Sequence, residues 1–111
     1  MAKNLVVLSG LLGKEIELKE LENGKTVCNF SIAESYPTSK KDEKDKTIYE
    51  TRWHEVTAWE GLAKMLFRNA KKGSVISLSG RLDYDNYSKD GVEVKKAKII
   101  AESADVYSLQ D

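Results

Sequence analysis

Two dipeptides, Asn23-Gly24 near the start of the chain and Asp90-Gly91 near its end, most limit what this sequence can fold into. Asn-Gly and Asp-Gly supply the positive φ angles that two-residue β-hairpin turns require. Between them only Glu60 to Lys72 (EGLAKMLFRNAKK) has helical spacing, with Leu62, Met65, Leu66 and Ala70 on one side and Lys64, Arg68 and Lys71 on the other. Gly73 is expected to close that helix at its C-cap. The remaining apolar residues recur at a period of two, so the chain is predicted to be β-hairpins with a single helix among them.

Asn4 to Leu12 (NLVVLSGLL) is the first predicted strand, with a bend or bulge at Gly10. Ile16 to Leu21 alternates apolar and charged residues and continues it. Thr26 to Ser35 is the second strand and places Cys28, Phe30 and Ile32 on one face. Tyr36 to Thr47 (YPTSKKDEKDKT) holds the only proline and a dense mix of charges. No periodicity survives there, which predicts a long mobile loop, either plain solvated surface or a recognition element. Ile48 to Trp59 is the third strand, Ser74 to Tyr84 the fourth and Val92 to Ala104 the last, after which the chain trails off.

The order β-β-β-α-β-β, in a chain of 111 residues, suits one domain with its own core. The predicted class is all-β: a five-stranded Greek-key barrel of the OB type, its helix between strands three and four plugging one end. Barrels of this order bind oligonucleotides or oligosaccharides.

Chemistry-bearing residues are few. Lys and Arg number 18 and so do Asp and Glu, so no net positive field points to nucleic acid, although basic residues can still be gathered on one face. No HExxH, CxxC, P-loop or GxSxG pattern is present, and an enzyme is not expected. "DYDNYSKDG" opens like a calcium loop but carries Ser88 where the turn glycine belongs, so neither metal nor cofactor is expected. The lone Cys28 lies in an apolar run and reads as a small core side chain. No apolar run approaches the ~20 residues of a membrane span and no signal-peptide layout opens the chain, so a soluble cytoplasmic protein is expected.

The aromatic residues carry more information. In the strand "TRWHEVTAW" alternation puts Trp53, Glu55, Thr57 and Trp59 on one face and His54, Val56 and Ala58 on the other. The small apolar residues mark the second face as the packed one, which assigns His54 to a core or interface role. Both tryptophans are thereby left on a polar face, joined by Tyr49 of the same parity. Tyr84 and Tyr87 sit at the second hairpin and Tyr36 opens the charged segment. Exposed rings of this kind stack on nucleobases without regard to sequence, or pack against a partner subunit.

The segments "LVVLSGLLGKEIELKELENGKTVCNFSIAES", "YETRWHEVTAWEGLAKML", "KKGSVISLSGRL" and "KIIAESADVYSL" are together similar to bacterial single-stranded DNA-binding proteins, from about Lys3 to Leu109. The resemblance implies an OB domain over residues 1–105, a homotetramer of paired dimers, and single-stranded DNA wrapped around the outside during replication, recombination or repair. It assigns base stacking to Trp53, Trp59 and Tyr87, and the subunit interface to His54 and to the first strand with Leu5 and Val7.

Three departures from that family stand out. Glu55, Gly61, Asp83 and Asp85 occupy positions where the family usually carries Lys or Arg, which predicts weaker and less salt-sensitive binding. Lys71, Lys72, Lys89, Lys95, Lys96 and Lys98 remain as candidate phosphate contacts or as ordinary surface charge. The sequence ends at Asp111, and residues 106–111 lack the linker and acidic tip through which the family recruits repair enzymes, so recruitment by that route is not expected. The register also slips at Pro37, leaving Tyr36 as the aromatic of that segment. An alternative of another class is a tail-less OB interaction module, dimeric, within a primosomal replication-restart complex.

Overall fold

In a computed structural model, which describes residues 3–108, the chain forms β1 (Val6–Leu12), β2 (Glu17–Glu20), β3 (Thr26–Lys41), β4 (Thr47–Trp59), α1 (Glu60–Asn69), β5 (Val75–Lys89) and β6 (Val92–Tyr107). The sheet order is β1-β5-β6-β4-β3-β2, and β1 also pairs with β3 through Leu11↔Ala33 and Leu12↔Ile32. That last pairing joins the two sides of the sheet into a closed ring. With β1 and β2 counted as one bent strand, this is the predicted five-stranded barrel with a helix between its third and fourth strands.

Closure depends on two glycines. A Cβ on Gly10 would run into the carbonyl of Ala33, and one on Gly80 into the carbonyl of Ile100. Gly10 therefore marks the bend where β1 leaves β5 for β3, and Gly80 lies at the register shift between β5 and β6. Bulges and glycines at such corners let a strand turn around a barrel.

The core is the inward face of five strands: Leu12 of β1, Cys28, Phe30 and Ile32 of β3, Val56 and Ala58 of β4, Ile76 and Leu78 of β5, and Ile99 and Ala101 of β6; the short β2 is exposed throughout. Ala63, Leu66 and Ala70, all buried, close one end over it, with Leu62 and Met65 partly buried beside them. The helix stops at Asn69, earlier than Lys72. Ala70 is its C-cap, and Gly73 (φ +91) turns the following 71–74 segment, where the Ser74 N–H donates to the Lys71 carbonyl at 2.8 Å.

Two further expectations need correction. Tyr36–Lys41 is not a loop: β3 runs on through it and pairs with β4 as far as Lys41↔Thr47, with a register shift between Pro37 and Lys41. The strand shows no hydrophobic period because both of its faces are solvated. Thr38 Oγ1 donates to the Ile48 carbonyl at 2.7 Å, and a proline at an irregular register costs the ladder no bond. Likewise β5 and β6 extend to Lys89 and Tyr107, around a tight turn in which Asp90 (φ 52) and Gly91 (φ 78) are both left-handed. Two β-hairpin arms thus project past the barrel.

Candidate nucleic-acid interface

β4 is the scaffold of the site. Its pairing with β3 sets Trp53 opposite Ala33, Glu55 opposite Ser31, Thr57 opposite Asn29 and Trp59 opposite Val27, all of one parity, although Val27 itself is buried. Cross-strand partners point the same way, so these residues form one surface. Trp53 is 60% exposed and Trp59 40%, whereas Val56 and Ala58 on the other face are sealed in the core. Thr57 departs from the expected exposed row: it is buried, and its hydroxyl donates to Asn29 Oδ1 at 2.6 Å.

The Trp53 indole has a direct neighbour, and the chain turns sharply just after Trp59. Trp53 lies against the backbone of Gly13, where a Cβ would stand only 2.7 Å from ring atom Cζ3. Trp59 precedes a sharp strand-to-helix turn at Glu60 (φ 55), whose carboxylate accepts the Thr26 N–H at 2.6 Å. A positive φ at a non-glycine residue is costly and persists only where neighbours hold it. The turn fixes where Trp59 leaves the strand.

Parity extends this surface onto the arms. β6 runs parallel to β4 with Val56↔Ile99 and Thr57↔Ile100, and β5 pairs with β6 at Asp85↔Lys96 and Tyr87↔Val94. Counting by twos from Thr57 and Ile100, the outward side gathers Trp53, Glu55, Tyr49, Lys96, Lys98, Asp85, Tyr87 and Lys89. Trp53, Lys96 and Lys98 also line one shared hollow. Tyr84 has the opposite parity, that of Leu82 and Ile76, and Lys95 Nζ sits 4.6 Å from its ring centre. Tyr36, opposite Glu50, shares the parity of Arg52 and His54. Its ring is covered by the Arg52 guanidinium at 3.7 Å, and its hydroxyl donates to Glu50 Oε2 at 3.0 Å. The structure therefore brings Trp53, Trp59, Tyr49 and Tyr87 onto one face and sets Tyr36 and Tyr84 on the other.

Among the lysines, Lys98 is tied to Asp85 at 2.7 Å, while the Lys72 backbone N–H donates to Glu15 Oε1 at 3.1 Å. Lys71 and Lys72 follow the end of the helix at Asn69, and Lys89 and Lys96 lie on the β5–β6 arm. His54 is half-buried and shares a 2.9 Å contact with Glu34, which also lies 3.9 Å from Arg52. Val7, on the outward side of β1, is 77% exposed and Leu5, just before the strand, 70%; the Val6–Gly10 stretch of β1 pairs only with β5. Burial pushes the Cys28 thiol up to about 11, only partly offset by a hydrogen bond with the Ala58 backbone, so the residue is a core side chain and a poor nucleophile. Among the described residues no group of three or more His, Cys, Asp or Glu could hold a metal ion, and no helix is long and apolar enough to cross a membrane.

Sequence reasoning missed Gly13, Asn29 and Ser31. The parity of β3 was available for the last two, but their place beside Glu55 depends on a pairing register that no local pattern specifies.

A closed Greek-key barrel with one capping helix and two indoles on an open outer face defines a protein of the OB class. The chain belongs to the single-strand binding protein family, whose model matches residues 3–107. It is 36% identical over 102 residues to the single-stranded DNA-binding protein of Neisseria meningitidis, covering 91% of this chain and 58% of that protein. It is also 36% identical over 87 residues to single-stranded DNA-binding protein 1 of Synechocystis, covering 78% of this chain and 67% of that one. The chain thus spans little more than half the length of the Neisseria relative. Among solved structures, a Plasmodium falciparum SSB in complex with ssDNA superposes with a TM-score of 0.80 at 21% identity, covering 99% of this chain and 97% of that one. A small single-stranded DNA-binding protein from Streptomyces coelicolor superposes at 0.75 and 20% identity, covering 98% and 97%. These structural likenesses establish the OB fold.

Proposed function

We propose that this chain binds single-stranded DNA by stacking bases on Trp53 and Trp59, with Tyr87 and Tyr49 extending the path and Lys71, Lys72, Lys89 and Lys96 meeting phosphates. One observation carries the reading: two indoles are exposed on a single polar face of β4, one of them backed by Gly13. Stacking on such rings contributes ~1–3 kcal/mol per base and is indifferent to sequence because every base has a π-face. Membership of the single-strand binding protein family supports the same substrate. Tyr36 and Tyr84, each with a cation over one ring face, flank this path on the arms.

The working form in this reading is a cytoplasmic, non-catalytic homotetramer that coats exposed strands during replication, recombination or repair. Its support is the open edge of β1, where Val7 lines a hollow of about 210 Å³ with Ser77, Ser79 and Ser103, and Leu5 is exposed just before the strand. An exposed apolar edge of this kind pairs favourably with a second copy of itself. Competition anisotropy tests the substrate: a labelled single strand is displaced by unlabelled single strand but not by duplex of equal length. Equal displacement by duplex would refute the stacking reading, because duplex bases are not free to stack on protein rings.

A further inference from the structure

On the outward face of the β5–β6 hairpin, acids and lysines stand opposite one another. The ladder sets Asp83 across from Lys98 and Asp85 across from Lys96. Lys98 passes over its direct partner. Its Nζ donates diagonally to Asp85 Oδ1 at 2.7 Å, a charge-assisted bond well within the reach of so long a side chain. The Asp83 carboxylate turns instead to its own strand and accepts the Tyr84 backbone N–H at 2.8 Å. Lys96 and Lys98 line a hollow of about 390 Å³ together with Trp53 and Glu55, so both lysines lie next to a ring on which a base stacks. The Lys98 side chain is 24% exposed and that of Asp85 56%, which makes the carboxylate the outer member of the pair. An incoming phosphate meets it first.

We infer that Asp85 is an internal competitor for the phosphate that Lys98 would otherwise take, and so holds down this chain's grip on a strand. The inference rests on the single-stranded DNA binding proposed above. A lysine already paired with a carboxylate adds no net charge to the path. Seating a phosphate on Lys98 breaks that pair and leaves Asp85 beside the strand as a like charge. Counterions are released only for phosphates that are neutralised, so the pair lowers the affinity and its dependence on salt together. Lys96 differs, because among the described residues it enters no ion pair. The competition is for backbone and carries no sequence information, in keeping with stacking that is indifferent to the base.

The test is anisotropy of labelled oligo(dT) across a range of salt, with Asp85→Asn, Asp83→Asn, Lys98→Gln and the pair Asp85→Asn/Lys98→Gln beside the wild type. At 50 mM salt Asp85→Asn is expected to bind about five-fold more tightly, the upper end for one exposed pair of charges. Its slope of log K against log salt should be steeper by about 0.7, which shrinks the gain to about two-fold at 200 mM. Asp83→Asn removes a like charge without releasing a lysine, so it should gain less and keep the wild-type slope. Lys98→Gln should bind much as the wild type does, and adding Asp85→Asn to it should leave the slope unchanged. An Asp85→Asn gain no larger than that of Asp83→Asn, or one that persists with Lys98→Gln, would overturn the competition and leave the stacking function standing. Weaker binding by Asp85→Asn would overturn it too, since the pair would then be placing Lys98 for its phosphate. Failure of the wild type to bind the oligonucleotide would overturn the stacking function and this inference with it.

Discussion

Gly13→Ala places one methyl group beneath Trp53. Gly13 has no positive φ, so alanine fits its backbone without strain. The new Cβ, however, would stand 2.7 Å from Cζ3 and 2.9 Å from Cη2 of the indole. Favourable carbon contacts lie at about 3.5–4.0 Å, so the ring must retreat by about 1 Å. Two opposing terms act on stability. Loss of glycine freedom in the unfolded chain stabilises by about 0.4–1 kcal/mol, and the displaced ring costs a similar amount, so the net change stays within about 1 kcal/mol. Binding has no such compensation. A stack on Trp53 contributes ~1–3 kcal/mol, and tilting the ring should remove about 1 kcal/mol of it, a roughly five-fold weaker grip. The assay is fluorescence titration with oligo(dT) in a Trp59→Phe background, where Trp53 is the sole emitter, alongside a denaturant melt. Unchanged affinity and emission would refute the support assigned to Gly13. A stability loss well above 1 kcal/mol would show that the clash was taken up by the barrel instead.

Cys28 titrates near 9.0 when free and about 11 when folded, so the unfolded chain loses its proton first as pH rises. Its contribution is complete below about pH 9 and falls by on the order of 2–3 kcal/mol by pH 11, a decline that urea melts should find reduced in Cys28→Ala. Val7→Asp is expected to lower the molar mass in sedimentation while leaving the circular dichroism spectrum intact. An unchanged mass would remove the β1 edge from the interface. With Lys71, Lys72, Lys89 and Lys96 as the phosphate contacts, the slope of log K against log salt should be no steeper than about −3, from about 0.7 per contact. A much steeper slope would mean that cations outside this set take part.

Much of this architecture was legible in the sequence because it is written in local rules. Asn23-Gly24 and Asp90-Gly91 mark turns, Leu62 to Ala70 mark a helix, and alternation in β4 separates Trp53 from Val56. What stayed hidden was governed by pairing. The Tyr36–Lys41 arm has two solvated faces and hence no hydrophobic period, so only its ladder to β4 defines it as a strand. Gly73 resembled a helix cap, yet the chain leaves the helix at Ala70 and uses the glycine in the next turn. Tyr84 and Tyr87 looked equivalent at one hairpin, but three residues of separation put them on opposite faces. The hollow beside Trp53 takes Glu55 from β4 and Lys96 and Lys98 from β6, and such a surface exists only once the barrel has closed.

The central claim is that Trp53 and Trp59 stack on single-stranded bases, and intrinsic tryptophan fluorescence reports on those two rings alone. Titration with oligo(dT) should quench the emission strongly, duplex of equal length should not, and Trp53→Ala or Trp59→Ala should each remove a large share of the quench together with affinity. Emission indifferent to the single strand at micromolar protein would contradict the account and leave the two tryptophans as a surface for another protein.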